Sequence, residues 1–356
     1  MTEARGNVIV GQSGGPTAVI NSSLAGVFKT AKDRGAKKVY GMLHGIQGLL
    51  QERCVDLEEH IKSDLDIELL KRTPSAYLGS CRFKLPEICD DRDIYDKIFS
   101  ILDKLKVEYF FYIGGNDSMD TIKKLSDYSL LNGSKIRFMG VPKTIDNDLA
   151  ATDHTPGYGS AAKYIGAITK EVIRDGLVYD QQNVTILEIM GRNAGWLTGA
   201  AALAKGEDCE GPDMLFLPEV TFDVDSFMKK VEELHKKKAS VVVAVSEGVK
   251  LADGRYVCEL TDGIEFVDAF GHKQLTGTAR FLAEKINREV GCKTRAIEFN
   301  SLQRCASHIV SRVDITEAFQ VGGAAVKEAF EGETGKMIIL KRVSDDPYVC
   351  VTDIYD

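Results

Sequence analysis

Residues 142–148, PKTIDND, carry the side chains with the clearest chemical potential. Lys143, Asp146 and Asp148 place an ammonium group and two carboxylates directly after an apolar run at 136–141. A lysine can neutralise the charge that develops on a phosphoryl group, and an aspartate can accept the proton of an attacking hydroxyl. The pattern therefore favours phosphoryl transfer over the turn chemistry of an ordinary surface loop.

Two glycine-rich segments also follow apolar runs. GQSGGPT at 11–17 comes after VIV at 8–10, and GGNDS at 114–118 comes after 109–113. Glycines let a backbone approach a phosphate, and the N-terminus of a following helix supplies amide donors. The alternatives are a tight turn at the first segment and simple helix capping by Asp117 and Ser118 at the second. Two such loops in one sheet favour binding of a phosphoryl donor, for which the candidate residues are Gly14, Gly15, Gly115, Asp117, Ser118 and Lys143.

Two further strand ends carry weaker signals. MGRNAGW at 190–196 follows 184–189, and its Arg192 can reach a phosphate or a sugar hydroxyl. SEG at 246–248 follows 241–245, and Glu247 can accept hydrogen bonds from a sugar. Each signal is weak by itself.

Strands and helices must bring these segments together. Short β-branched or aromatic runs alternate with segments of helical period, which indicates βαβ units and a mostly parallel sheet. We expect strands at 8–10, 109–113, 136–141, 184–189 and 241–245, and helices at 18–31, 94–106 and 224–238. Ligands of open α/β sheets bind beyond the carboxyl ends of the strands, where all of these segments lie. The length of 356 residues suggests two domains.

Composition argues against several classes of protein. Lys and Arg number 45 against 53 Asp and Glu, a net charge of −8, so we expect no nucleic-acid partner. The eight cysteines lack zinc-site spacing, so we expect reduced thiols and a cytoplasmic location. No segment is typical of a membrane span or a signal peptide.

Two nucleotide-binding patterns also fail. The P-loop pattern GxxxxGK[ST] does not occur, which argues against a P-loop nucleoside triphosphatase. GYGSAA at 157–162 fits a loose dinucleotide-binding pattern. This pattern is the only feature that would support the assignment as a nicotinamide dehydrogenase. It follows no strand, and we expect a turn that joins the domains and enters a helix.

In combination and in order, seven segments strongly resemble the phosphofructokinase family, in its pyrophosphate-dependent branch. They are SGGPTAVIN (13–21), GSCRF (79–83), GGNDS (114–118), PKTIDND (142–148), MGRNAGW (190–196), SEGV (246–249) and TRAIEFNSLQR (294–304). The resemblance implies an α/β fold with two Rossmann-like three-layer domains, mostly parallel sheets and an active site in the cleft between them. Residues 1–158 with about 304–340 would bind the phosphoryl donor, and 159–303 with the C-terminal tail would bind the sugar phosphate.

The resemblance also implies roles for individual residues. Asp146 would be the general base, supported by Asp148, while Arg82 and Lys143 would stabilise the transferring phosphoryl and leaving groups. The residues implied for sugar-phosphate binding are Thr144, Ile145, Asp146, Met190, Gly191, Arg192, Glu247, Arg295 and Arg304. Arg295 would reach a neighbouring subunit's site, which implies a homodimer or a homotetramer.

Two positions point to the donor. Asp117 and Lys143 stand where ATP-dependent members have glycine. A carboxylate at Asp117 would crowd and repel the α-phosphate of a nucleotide, whereas the Lys143 ammonium can neutralise a pyrophosphate leaving group. Pyrophosphate is therefore the expected donor.

Three positions depart from the family pattern. Asn116 stands where the family has a metal-binding aspartate, so Mg²⁺ would rest on Asn116, Asp117, waters and pyrophosphate. Asn183 and Ser301 replace a sugar-binding arginine and histidine, which leaves sugar preference open. Sedoheptulose 7-phosphate and polyphosphate remain alternative substrates.

The expected reaction is reversible phosphoryl transfer from Mg²⁺-pyrophosphate to the 1-hydroxyl of fructose 6-phosphate, a step of glycolysis and gluconeogenesis. One alternative is an ATP-dependent 6-phosphofructokinase. Another is a non-catalytic regulatory subunit that binds sugar phosphate, although Asp146 and Asp148 are both present.

Overall fold

The structure, a computed structural model, describes residues 5–260 and 275–356. Its strands are β1 (Asn7–Gln12), β2 (Val39–Met42), β3 (Cys54–Asp56), β4 (Val107–Gly114), β5 (Arg137–Pro142), β6 (Asn183–Ile189), β7 (Met214–Phe216), β8 (Ser240–Ser246), β9 (Lys293–Glu298), β10 (Lys336–Asp345) and β11 (Tyr348–Tyr355). Its α-helices are α1 (Ile20–Asp33), α2 (Gly45–Leu49), α3 (Asp64–Arg72), α4 (Arg92–Lys104), α5 (Asn116–Leu131), α6 (Tyr158–Gly176), α7 (Trp196–Ala200), α8 (Val224–His235), α9 (Thr278–Glu289), α10 (Leu302–Cys305) and α11 (Arg312–Glu331). Short 3₁₀ helices lie at Leu57–Glu59, Ala201–Ala204, Val257–Leu260 and Ser307–Ile309.

The expected strands and helices all form. The five apolar runs coincide with β1, β4, β5, β6 and β8, with only Ile136 outside its strand, and α1, α4 and α8 match the three helical patterns to within a few residues. Helix α4 begins where Asp91 accepts the Ile94 N–H, and α8 begins where Asp223 accepts the Ser226 N–H. Both are N-cap bonds that satisfy amides a helix leaves unpaired. The segment at 157–162 enters α6, as expected.

The chain divides into two compact units, Met1–Ser160 with Val310–Asp356 and Ala161–Ile309. In the described part of the first unit, the sheet has the order β11-β10-β5-β4-β1-β2-β3. Neighbours from β10 to β2 are parallel, and only the two outermost pairs are antiparallel. One face packs on α1 and α11 and the other on α4 and α5, which gives three layers.

The described part of the second unit holds a parallel sheet in the order β7-β8-β6-β9. The inner strand β8 is apolar on both faces, with Val241 to Val245 all buried. Continuous apolar strands of this kind are typical of parallel sheets covered on both sides. The predicted α/β fold with mostly parallel sheets is therefore confirmed, as is the expectation of two Rossmann-like units.

The prediction that the C-terminal tail belongs to the second domain is wrong. β10 pairs with β5 in parallel, with Lys336 opposite Met139, and β11 pairs with β10. The tail therefore completes the sheet of the first unit. The physical reason is that an isolated hairpin is marginal in water, whereas the edge of β5 offers it a ladder of hydrogen bonds and a core.

None of the helices in the described ranges is both long and apolar enough to span a membrane.

Helices α1 and α11 approach closely enough that only glycine fits at their contact. A Cβ added to Gly26 would lie 2.1 Å from the carbonyl oxygen of Phe319, and one added to Gly322 would lie 2.1 Å from that of Ser23. The obstacles are backbone atoms, which cannot rotate away. These glycines therefore set the distance between two helices on one face of the sheet.

Gly26→Ala is expected to lower the free energy of unfolding by about 1–3 kcal/mol, because overpacking moves backbone. Gly199→Ala in α7 is the matched control, since its added Cβ meets nothing within 4 Å. Denaturant unfolding followed by circular dichroism measures both. Equal stability of the two variants would contradict the close approach.

Candidate active site

Three of the predicted segments meet at one edge of the first unit's sheet. In the register, Gln12 at the end of β1 lies opposite Ile113, and Gly114 at the end of β4 lies opposite Pro142 at the end of β5. The segments at 11–17, 114–118 and 142–148 therefore leave neighbouring strands at the same level. This is the position at which open α/β sheets bind ligands.

Backbone hydrogen bonds join these segments into one surface. The Ser13 N–H donates to the Ile113 carbonyl at 2.9 Å, and the Lys143 N–H donates to the Gly114 carbonyl at 2.9 Å. A fourth segment joins them, because the Gly14 N–H donates to the Cys81 carbonyl at 3.1 Å. Arg82 is next in the chain and exposed, so the structure places it at the predicted donor loops.

The ammonium group of Lys143 lies within the first glycine loop. Nζ donates to the carbonyl oxygen of Gly15 at 2.5 Å, although the lysine is only 3% exposed. Gly14 has a φ of +75°, and a Cβ there would lie 3.4 Å from that Nζ. Left-handed backbone and a close cation both favour glycine at this position. Predicted donor residues from two distant segments thus share one site.

The second glycine loop presents oxygen ligands. Gly115 is the N-cap residue of α5, so Asp117 and Ser118 lie inside the helix and do not cap it. Ser118 is buried, and a Cβ on Gly114 would lie 1.9 Å from its hydroxyl oxygen. Asp117 is exposed, as is Asn116 beside it.

The predicted metal residue and the predicted supporting carboxylate are in direct contact. Asn116 Nδ2 donates to Asp148 Oδ2 at 2.9 Å. Asp117 follows Asn116 in the chain and is likewise exposed, so these residues offer amide and carboxylate oxygens, the hard donors that Mg²⁺ prefers. The residues present therefore fit the metal that the sequence predicted.

The loop that carries Asp146 is folded back on the chain that follows it. The Asp146 N–H donates to Thr144 Oγ1 at 3.1 Å, and Ile145 is buried. Asn147 has a φ of 56°, and its Oδ1 accepts the Thr155 N–H at 2.9 Å. The sequence analysis missed Asn147 and Thr155 as positioning residues. The available signal was that Asn tolerates the left-handed conformation and forms side-chain turns.

A second cluster forms at the carboxyl edge of the second unit's sheet. Ile189 at the end of β6 lies opposite Ser246 at the end of β8. The Ser246 hydroxyl donates to the Gly191 carbonyl at 2.7 Å, and the Gly191 N–H donates to Glu247 Oε1 at 3.5 Å. Gly248 lies so close that its Cβ would be 2.0 Å from the Arg192 carbonyl oxygen. The structure thus joins MGRNAGW to SEG, the two weak signals.

Gln303 brings the last predicted segment to this cluster. Its Oε1 accepts the Met190 N–H at 3.2 Å, and its side chain is buried. Arg304 is the next residue of α10. Gln303 was missed, because nothing in the sequence shows that an amide at 303 pairs with a backbone group at 190.

Arg295 is a predicted sugar-binding residue of the second unit that lies away from this cluster. It lies in the middle of β9 opposite Thr185, and its guanidinium contacts Asp175 at 2.8 Å. In its own unit it is therefore not at the strand ends that carry Arg192, Glu247 and Arg304.

Comparisons with known proteins identify the family of this chain. A family model described as phosphofructokinase matches residues 7–329. The chain belongs to the phosphofructokinase family. It is 40% identical over 349 residues to a pyrophosphate–fructose 6-phosphate 1-phosphotransferase of Halomonas elongata, covering 97% of this chain and 82% of that protein. The protein of the same name from Xanthomonas campestris is 41% identical over 345 residues, covering 96% of this chain and 81% of that protein.

A solved structure extends the similarity to the fold. The pyrophosphate-dependent phosphofructokinase of Marinobacter aquaeolei aligns with a TM-score of 0.86 and 34% identity, over 99% of this chain and 83% of that one. The resemblance read from the seven sequence segments is thereby confirmed.

The sequence analysis missed Glu188, a buried carboxyl group close to the MGRNAGW segment. It accepts the N–H groups of Gly277 at 3.2 Å and Ala279 at 2.7 Å, so it anchors the start of α9 to β6. Burial raises the pKa of Glu188 to about 7.

Glu188→Gln is expected to remove a pH dependence of stability. Because the pKa of Glu188 rises on folding from its usual 4.5 to about 7, its contribution is complete below pH 4.5 and is lost as the pH rises through 7. The free energy of unfolding of the wild type should therefore fall relative to Glu188→Gln by about 3 kcal/mol over this window. Urea unfolding at several pH values measures the difference.

The exposed Glu232→Gln serves as control for the loss of one carboxylate. Parallel pH profiles of the wild type and Glu188→Gln would contradict the raised pKa.

Proposed function

We propose that this protein transfers a phosphoryl group reversibly from Mg²⁺-pyrophosphate to the 1-hydroxyl of D-fructose 6-phosphate, giving fructose 1,6-bisphosphate and phosphate. The observation that carries the proposal is the buried Lys143 ammonium 2.5 Å from the carbonyl oxygen of Gly15, at the sheet edge that also bears Asp146. A cation inside a glycine loop suits a polyanionic donor, and the base belongs to the same segment.

The donor loops favour pyrophosphate over a nucleotide. Gly14, Gly15 and Gly115 let the backbone approach the donor, and the N-terminus of α5 adds amide groups beside Ser118. Asp117 repels the α-phosphate of a nucleotide, whereas pyrophosphate has no such group. Lys143 neutralises the phosphate that leaves.

Asp146 takes the proton from the 1-hydroxyl as that oxygen attacks, and Arg82 stabilises the transferring group. Thr144 and Ile145 shape the loop around the base. Asp148 supports the orientation and charge of Asp146, and it accepts a hydrogen bond from Asn116 at 2.9 Å. Since phosphoryl transfer needs little covalent help from the protein, positioning and electrostatics supply most of the acceleration.

The sugar phosphate rests on the second cluster, where Arg192 and Arg304 supply charge for its phosphate. Glu247 accepts hydrogen bonds from its hydroxyls, and the backbone at Met190 and Gly191 lines the site. Arg295 completes the site of a neighbouring subunit in a homodimer or homotetramer, which agrees with its place away from the cluster in its own chain.

Asn116 and Asp117 would hold Mg²⁺, which supplies charge neutralisation to the donor when bound. The reaction serves both glycolysis and gluconeogenesis, since pyrophosphate lies close in energy to the product. We place the enzyme in the cytoplasm, because its eight cysteines are free thiols.

Asp146→Asn is expected to lower kcat by about 10²–10⁴-fold in both directions, because the attacking hydroxyl loses its base. Initial rates with fructose 6-phosphate, pyrophosphate and Mg²⁺ measure the forward reaction, and circular dichroism checks the fold. Asp127→Asn, an exposed aspartate of α5 paired with Lys123 at 3.0 Å, is the matched control. A kcat near that of the wild type would overturn the assignment of the base.

Asp117→Gly combined with Lys143→Gly is expected to raise the ratio of kcat/KM for ATP to that for pyrophosphate. Removing the carboxylate makes room for the α-phosphate, and removing the ammonium weakens pyrophosphate. The ratio is its own control, since general damage lowers both rates together. An unchanged ratio would refute the charge argument, and wild-type turnover with ATP alone would identify an ATP-dependent enzyme instead.

A further inference from the structure

Helix α11 holds the chain segment that follows the Asp146 loop. Asp314, in the first turn of α11, is buried and accepts the N–H groups of Gly157 and Ser160, each at 2.9 Å. Gly157 in turn forms a parallel bridge with Thr144. One turn further along α11, Glu317 reaches the same chain segment through His154, at 2.8 Å.

His154 lies between two carboxylates. Its Nε2 is 2.8 Å from Glu317 Oε2, and its Nδ1 is 2.8 Å from Asp153 Oδ1. Both ring nitrogens can donate at once only in the imidazolium form, because a neutral ring has one acceptor nitrogen. Burial opposes the charge, but hydrogen bonds to Glu317 and Asp153 outweigh it and raise the pKa of His154.

Side chains of β10 and β11 surround His154 and its two carboxylate partners. The Tyr348 hydroxyl donates to Glu317 Oε1 at 2.6 Å, and its oxygen lies 3.2 Å from Cys350 Sγ. Arg342 donates to Asp153 Oδ1 at 3.0 Å. Together with Asp314, these are the titratable and charged groups that face His154 from the described elements around it.

A metal site is the rival interpretation of this cluster. Asp153, His154 and Cys350 bring one donor atom each to within 4.8 Å of the others. However, both nitrogens of His154 face carboxylates, and the Arg342 guanidinium already occupies Asp153. A second cation would meet repulsion here, so the contacts favour a network of hydrogen bonds and ion pairs.

This network connects directly to the catalytic loop. Thr155 follows His154, donates its N–H to Asn147 Oδ1 at 2.9 Å and its hydroxyl to the Thr144 carbonyl at 2.8 Å. On the other side, the Asp153 N–H donates to the Leu340 carbonyl of β10 at 2.8 Å. Asp146 lies between Thr144 and Asn147, so any shift of His154 is passed to the backbone on both sides of the base.

We propose that the His154 imidazolium, clamped between Asp153 and Glu317, is a positioning residue that holds the Asp146 loop in its reactive geometry. The inference rests on the proposed function of Asp146 as the base. His154 touches no substrate and acts through Thr155 and Asn147. Its loss of a proton at high pH releases one carboxylate and loosens the loop, which lowers kcat.

The direction of the pH effect follows from the raised pKa. A histidine whose pKa is raised on folding contributes fully below its unfolded pKa, and the contribution disappears as the pH rises through the folded value. The clamp therefore holds below the raised pKa of His154 and opens as the pH rises through it. Glu317→Gln removes one of the two charges that raise this pKa, so it moves the opening to lower pH.

The test is the pH profile of kcat for wild type, Glu317→Gln and His154→Gln. We expect the alkaline fall of kcat to shift to lower pH in Glu317→Gln. In His154→Gln we expect kcat to be about 10-fold lower than the wild-type value at pH values below that fall, with the alkaline fall removed and KM for fructose 6-phosphate nearly unchanged. The exposed His60→Gln is the matched control and should follow the wild type.

An NMR titration of imidazole-labelled protein gives a readout independent of turnover. The pKa of His154 should be lower in Glu317→Gln than in the wild type, and this holds even if the wild type proves inactive with pyrophosphate, a result that would overturn the proposed function alone. An identical alkaline limb in wild type and Glu317→Gln would overturn the positioning role. Should His154→Gln not fold, the comparison of Glu317→Gln with the wild type decides the question.

Discussion

The buried ammonium group of Lys143 is the interaction on which the first site depends. Taking a charge out of water is costly unless hydrogen bonds replace the lost hydration. The Gly15 carbonyl, 2.5 Å from Nζ, supplies such a bond. It can do so only because β1 and β5 end at the same level of one sheet, on either side of β4. The loop geometry and the charge inside it are therefore mutually dependent.

Strand register has the same role in both units. In the first unit it aligns the ends of β1, β4 and β5, and in the second it aligns those of β6 and β8. Each alignment brings together loops that are far apart in the chain, and a close glycine contact then determines their distance. Gly14 does this beside Lys143, and Gly248 does it beside Arg192. A shift of one register position would separate the side chains that each cluster joins.

Support for these loops comes from elements that carry none of the sequence motifs. Helix α11 holds the chain after Asp146 through Asp314 and Glu317, and its own position depends on the glycine contact with α1. The C-terminal hairpin adds Arg342 and Tyr348 to the same network. The loop that bears the base is thus stabilised by residues more than 150 positions away in the chain.

Much of this protein could be predicted from its sequence because buried parallel strands are continuous apolar runs and their ends carry the functional side chains. The α/β fold and the segments with Lys143, Asp146 and Arg192 follow from such local patterns, whereas the phosphofructokinase family was indicated by the resemblance of seven ordered segments. The pairing of Gln303 with Met190, the clamp on His154, the raised pKa of Glu188 and the place of the C-terminal tail do not. Each depends on which groups meet across the fold and on how much water burial removes, and only the tertiary structure decides these contacts.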